Sequence, residues 1–114
     1  MLPATVRIFF CTVPLDMRKS FDGLALAARE LLEQDPRSGA LFVFTNRGAT
    51  RAKVLWWDAN GYCVLAKRMH QAVAALPPRS SDERALKIDG SALGKLLAGM
   101  KREKKRPGKK LLDS

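Results

Sequence analysis

Residues 41–68 read LFVFTNRGATRAKVLWWDANGYCVLAKR, and this stretch decides the fold. Leu41 to Thr45, Ala52 to Trp57 and Tyr62 to Lys67 are rich in Val, Leu, Phe, Trp and Tyr, side chains that suit a pleated, half-buried surface. Three consecutive strands follow. Asn46-Arg47-Gly48 opens the first loop, and Asp58-Ala59-Asn60-Gly61 supplies the second, where Asn-Gly accepts the positive φ angles of a tight type I′ turn. With Asn60 and Gly61 at the turn centre, Trp57 faces Val64, Leu55 faces Ala66, and Lys53 faces Arg68, so like charges meet at the open end of the hairpin. A longer loop through Asp58-Ala59-Asn60-Gly61 changes that pairing. Because side chains alternate along a strand, Trp56 and Trp57 cannot share one face. One of them lies on a second face, and two readings stand open: a face covered by a helix or partner subunit, or a contact and stacking surface.

Toward the N-terminus, Thr5 to Thr12 (TVRIFFCT) carries Val6, Ile8, Phe9 and Phe10 with Arg7 as its one charge, the pattern of a strand buried over much of both faces. After Pro14, Asp16 is placed to cap a helix over residues 17–34. Met17, Phe21, Leu24, Ala25, Ala28, Leu31 and Leu32 recur at helical spacing within it, and Asp35-Pro36 and Gly39 end it. Arg18 and Lys19 then fall in the first turn, where each exposed cation costs about 0.3 to 1 kcal/mol against the helix dipole. Either a local ion pair with Asp16 or Asp22 offsets that cost, or a bound phosphate does.

Toward the C-terminus, Pro77-Pro78-Arg79-Ser80-Ser81 lies in a loop or linker over residues 77–84. Ala85 to Asp89 adds a short strand. Ser91 then caps a brief helix with Leu93, Leu96, Leu97 and Met100 on one face. The expected fold is α+β: a mainly antiparallel sheet of four to five strands, one long helix packed on a face, and a short C-terminal helix. Residues 1–100 form the single domain, and residues 101–114 a basic flexible tail.

The chain of 114 residues carries 21 Lys and Arg against 11 Asp and Glu, a net charge of +10. Half of that excess sits in the last fourteen residues, and such a balance favours polyanionic partners. Cys11 and Cys63 sit in apolar runs without CxxC spacing or a neighbouring His, which argues for reduced core thiols and against a metal site. No cofactor is expected. No stretch approaches the ~20 apolar residues that span a bilayer, and no signal sequence is visible, so a cytoplasmic protein without a membrane partner is expected. His70, the one histidine, has no second ligand or nucleophile nearby in sequence and reads as solvated or capping. Asp16, Asp22, Asp58 and Asp89 are the carboxylates a two-metal nuclease would draw on. Asp16 and Asp58 have simpler work as cap and turn residue, and no catalytic residue is assigned.

The cations form a different pattern. Arg47, Arg51 and Lys53 cluster around the first loop, and the hairpin brings Lys67 and Arg68 close to them. With Arg18 and Lys19 they make a candidate phosphate-contacting patch of seven cations. Trp57 and Tyr62 are candidates for base stacking, although aromatic residues in strands are more often core. Trp56 and Trp57 are the candidate partner-binding residues, since aromatic anchors often dominate interfaces.

Three ordered blocks then carry a resemblance: Leu15-Asp16-Met17-Arg18-Lys19-Ser20-Phe21-Asp22-Gly23-Leu24; Leu41-Phe42-Val43-Phe44 with Asn46-Arg47; and Lys53-Val54-Leu55-Trp56-Trp57-Asp58 through Gly61 to Ala66-Lys67-Arg68. Over about residues 4 to 100 the chain resembles the TnpB or "Orf two" accessory proteins of bacterial insertion sequences of the IS-sixty-six type. The RNA-guided nucleases that share the TnpB label are a different group. The resemblance implies a small protein encoded beside a separate large transposase and assisting transposition. It departs from the family pattern after Arg68, where Met69, His70 and Gln71 stand, and at Gly48, where a second arginine is common. Two functions are expected on this basis. The first is an accessory factor that binds DNA with weak or no sequence preference through the basic patch and serves the transposase of the same element. The second is a protein-interaction adaptor for that transposase, with a further copy of this chain as another candidate partner.

Overall fold

The computed structural model describes residues 6–70 and 83–98. In chain order they form β1 (Ile8–Cys11), α1 (Phe21–Glu30), β2 (Leu41–Thr45), β3 (Arg51–Asp58), β4 (Gly61–Arg68), β5 (Ala85–Ile88) and α2 (Gly90–Leu97). All five strands join one sheet in the order β4-β3-β2-β1-β5. The β2-β3-β4 meander is antiparallel, β5 lies antiparallel to β1, and β1 runs parallel to β2 with α1 as the crossover between them.

Each face of the sheet has its own core. On one, Leu24, Ala25, Ala28 and Leu32 from α1 and its exit pack on Cys11, Phe42, Phe44 and Leu55. On the other, Leu93 and Leu96 of α2 pack with Ile8, Phe10, Leu41, Val43 and Val54. β2 is buried along its whole length because it lies at the centre of the sheet with a helix-bearing core on each side. That explains its unbroken apolar run. Cys11 and Cys63 are free thiols, the first buried and the second half-buried, and burial pushes the Cys11 thiol pKa up.

The expected α+β class and mainly antiparallel sheet are observed, with five strands where four to five were expected, but the long helix is not. α1 has ten residues rather than spanning 17–34. Asp16 does not cap it: the Asp16 carboxylate accepts the Arg18 backbone N–H at 2.9 Å and its carbonyl accepts the Lys19 N–H at 3.1 Å, closing a separate turn before the helix. Ser20 occupies the N-cap position without a side-chain hydrogen bond. Beyond Glu30 the backbone leaves through Glu33 in the left-handed region at φ +55°, ahead of Pro36 and Gly39. Met17 and Leu32 are nevertheless buried in the α1 core. Their apolar spacing therefore reflects where side chains enter the core and not where the backbone is helical.

The β3–β4 hairpin turns one residue earlier than expected, which shifts the cross-strand pairing by two. Ala59 and Asn60 form the turn, Asp58 pairs with Gly61, Trp57 with Tyr62, and Arg51, not Lys53, faces Arg68. Ala59 takes the positive φ of +56°, and in exchange the Trp57 ring meets the edge of Tyr62 at 5.0 Å. The α2 cap is also displaced from Ser91: Asp89 accepts the Ala92 N–H at 2.8 Å. Of the expected 77–84 loop, only Glu83 and Arg84 fall within the described residues, and the 101–114 tail falls outside them. Among the described residues, no helix is long and apolar enough to cross a membrane.

Candidate nucleic-acid interface

The loop between β2 and β3 is built around Asn46. Its Oδ1 accepts the backbone N–H groups of Thr50 and Arg51 at 2.9 and 3.0 Å, and its Nδ2 donates to the Thr50 hydroxyl at 2.9 Å. The Asn46 carbonyl also accepts the Ala49 N–H at 3.1 Å, and Ala49 is buried with φ +57°. The loop is thereby pinned at both ends. Arg47 and Gly48 are left exposed at its tip.

Two adjoining hollows flank this loop. One, of about 380 Å³, brings Arg47 and Arg51 together with Asp16 and Arg18 from the turn before α1. The other, of about 370 Å³, is lined by Arg51, Lys53, Lys67 and Arg68. Met17 and Arg51 border both. Arg51 and Arg68 are cross-strand partners, an unfavourable like-charge pairing that solvent or an anion relieves. Six of the seven cations expected at the site thus line one surface region. Lys19 lines neither hollow, although its backbone carbonyl accepts the Lys53 ammonium at 2.8 Å and fixes that side chain in place.

The seven are not equivalent. Alternation places Arg51, Lys53 and Arg68 on the α1 face of the sheet, whereas Lys67, opposite Ala52, belongs to the other face and only borders the hollow. Arg18 is held by Asp16: Nη2 to Oδ2 is 2.6 Å, and Nε lies 3.1 and 3.0 Å from Oδ1 and Oδ2. These hydrogen bonds lower the Asp16 pKa to about 2. The contribution of a depressed carboxylate is present above its ordinary pKa and is lost as pH falls toward 2, so near neutrality Asp16 is charged and offsets Arg18. Asp16→Asn keeps an oxygen for the Arg18 N–H and removes that charge. If the hollows hold the phosphates of a DNA duplex, it should tighten binding roughly threefold to tenfold and steepen the plot of log K against log salt by up to ~0.9 for one added phosphate contact, measured by fluorescence anisotropy in a salt series.

Trp56 and Trp57 lie on opposite faces, and both are half-buried. Trp56 packs against the α2 core, so the second face is helix-covered there. Trp57 sits under the Arg37 guanidinium, 4.5 Å from the ring centre, a contact that nothing in the spacing of the two residues announced. Asn46 was equally invisible as an organiser. The only trace it left was a threonine four residues on, at a loop read simply as a break between strands. The acids do not converge: Asp16 pairs with Arg18, Asp58 closes the hairpin and Asp89 caps α2. Among the described residues, no three His, Cys, Asp or Glu side chains are grouped so as to hold a metal ion.

The family model described as "IS66 Orf2 like protein" matches residues 6–107, a span that includes all seven cations. Among curated proteins, "Uncharacterized protein y4hO" of Sinorhizobium fredii (strain NBRC 101917 / NGR234) is 37% identical over 102 residues, covering 88% of this chain and 87% of its own length. "Uncharacterized protein y4jC" of the same organism is 29% identical over 107 residues, covering 92% of this chain and 90% of its own length. No solved structure matches the chain.

Proposed function

Because the chain belongs to the IS66 Orf2-like family, and is therefore an accessory protein associated with insertion sequences, we propose that it assists transposition by gripping DNA through backbone phosphates for the transposase of the same element. The observation that carries this reading is the meeting of Arg18, Arg47, Arg51, Lys53 and Arg68 around two adjoining hollows in which Asp16 is the one acid. Arg47 stands on a pinned loop and Lys53 on a fixed side chain, so little side-chain freedom is lost when a phosphate is bound. Contacts of this type position a protein on a duplex without reading its sequence. Among the described residues, neither α1 nor α2 lines the two hollows, and the reading therefore carries a weak sequence preference.

The test compares binding to end-derived and unrelated duplexes between 50 and 200 mM salt. The chain carrying Arg47→Ala, Arg51→Ala and Lys53→Ala together is expected to bind at least ~10-fold more weakly near 150 mM, with a salt slope shallower by about 2 to 3 units. Thermal unfolding of the variant checks that the fold persists. If truncation after Met100 removes all binding and the triple variant binds like the wild type, the folded part is instead an adaptor for the transposase.

A further inference from the structure

The sheet has two edges among the described residues, and they differ. β5 is four residues long and β4 is eight. Soluble proteins usually blunt a long edge with an inward charge, a proline or a bulge. β4 does none of this over Gly61 to Ala66 (GYCVLA): the stretch has no charge and no proline, and it pairs with β3 residue for residue from Asp58↔Gly61 to Arg51↔Arg68. Leu65 on this edge is 44% exposed, one of the most exposed large apolar side chains described.

A two-residue turn closed by Asp58 and Gly61 makes that pair mutually hydrogen-bonded, and bonded and non-bonded pairs then alternate along the ladder. Gly61, Cys63, Leu65 and Lys67 therefore direct their N–H and C=O groups toward β3. Tyr62, Val64, Ala66 and Arg68 direct theirs outward, with no strand beyond them among the described residues.

We propose that β4 is a dimerisation edge that pairs antiparallel with β4 of a second copy of this chain, about a two-fold axis at Val64, and this goes beyond the DNA-binding reading. In that register Val64 opposes its own counterpart, Tyr62 opposes Ala66, and Cys63 opposes Leu65, so the exposed leucine is covered and about six backbone hydrogen bonds form. Charge selects the register. Lys67 of one copy lies opposite Gly61 of the other, which has no side chain, and reaches over it toward Asp58, the cross-strand partner of Gly61 on the same face. A two-fold at Leu65 would put Lys67 opposite Cys63 and forfeit Asp58, and parallel pairing would bring the Lys67–Arg68 ends of both copies together. Arg51, Lys53 and Arg68 remain on the other face. The two basic regions then share one face of a continuous ten-stranded sheet, with the Arg68 positions about 26 Å apart along the strands at ~3.3 Å per residue.

The test is sedimentation velocity of the full chain without DNA, across a concentration series. The wild type is expected to pass from monomer to dimer as concentration rises. Ala66→Pro removes an outward N–H from an exposed residue and leaves the β3 ladder intact, so it should remain monomeric with an unchanged far-ultraviolet circular dichroism spectrum. Leu65→Cys places a thiol opposite the native Cys63 of the second copy in a non-hydrogen-bonded pair, Cα atoms ~4.5 Å apart. Mild oxidation should yield a disulfide-linked dimer that disappears when Cys63→Ser is added. A wild type that stays monomeric at every concentration, an Ala66→Pro variant that still dimerises, or a Leu65→Cys cross-link that survives Cys63→Ser overturns the proposal, whatever the outcome of the DNA titrations.

Discussion

Phe42→Ala is expected to lower the unfolding free energy by about 3 to 5 kcal/mol, a large share of the ~5 to 15 kcal/mol that holds a domain of this size together. Phe42 is the second residue of β2, the central strand, and none of its surface is exposed. Its ring stacks on Phe9 of β1 with centroids 5.9 Å apart, and across the ladder it opposes Leu55 of β3. Deleting the ring removes apolar area and leaves a hole whose walls belong to hydrogen-bonded strands, which cannot move together to close it. Phe42→Leu keeps most of the volume and should cost less than about 1.5 kcal/mol. Urea denaturation with a constant m-value measures both. A loss below about 1 kcal/mol for Phe42→Ala would contradict the packing of β2 between the two cores.

Asn46→Ala should cost about 2 to 3 kcal/mol, because it removes one hydrogen bond to the Thr50 hydroxyl and leaves the Thr50 and Arg51 N–H groups without their acceptor. The more informative effect is on binding. No charge is lost, yet Arg47 is released from a fixed position and must be ordered each time it meets a phosphate. Affinity for duplex DNA should therefore fall, by roughly threefold to tenfold, while the salt slope changes by less than the ~0.9 expected for a lost phosphate contact. Arg47→Ala should do the reverse, with a full unit of slope lost and stability unchanged. If the two variants behave alike in stability and salt slope, Asn46 does not act by positioning the arginine.

The meander was legible because strand chemistry and its punctuation agree: β2 spans the expected Leu41 to Thr45, and β3 and β4 extend the expected limits by one residue at each end. The helix was misjudged for a physical reason. Met17 and Leu32 satisfy a 3.6-residue period from turns outside α1, and burial periodicity does not distinguish a helix from the turns leading into and out of it. The hairpin register slipped by two because Ala59-Asn60 and Asn60-Gly61 are both workable turn centres, and the Trp57–Tyr62 contact that favours the first joins different strands. A slip of two leaves every side chain on its face. The separation of Lys67 from Arg68 was thus already implied by alternation, and grouping the seven cations by sequence proximity obscured it. The parallel β1–β2 pairing and the Asn46 hydrogen bonds depend on tertiary geometry, and no local pattern encodes them.

Among the described residues β1 is the first strand yet sits inside the sheet, and its outer neighbour is the last. Cys11 pairs with Ala85, and Thr12 is tied to the carbonyls of Arg84 and Glu83 at 2.9 and 2.8 Å. During synthesis at ~5 to 20 residues per second, β1 therefore waits roughly 4 to 15 s after it is made for its outer neighbour. Over that interval Ile8 and Phe10 also lack Leu93 and Leu96 to cover them. The nascent chain thus spends seconds with an apolar, open-edged strand at its front, a state that chaperones recognise and that a neighbouring nascent copy is equipped to pair with.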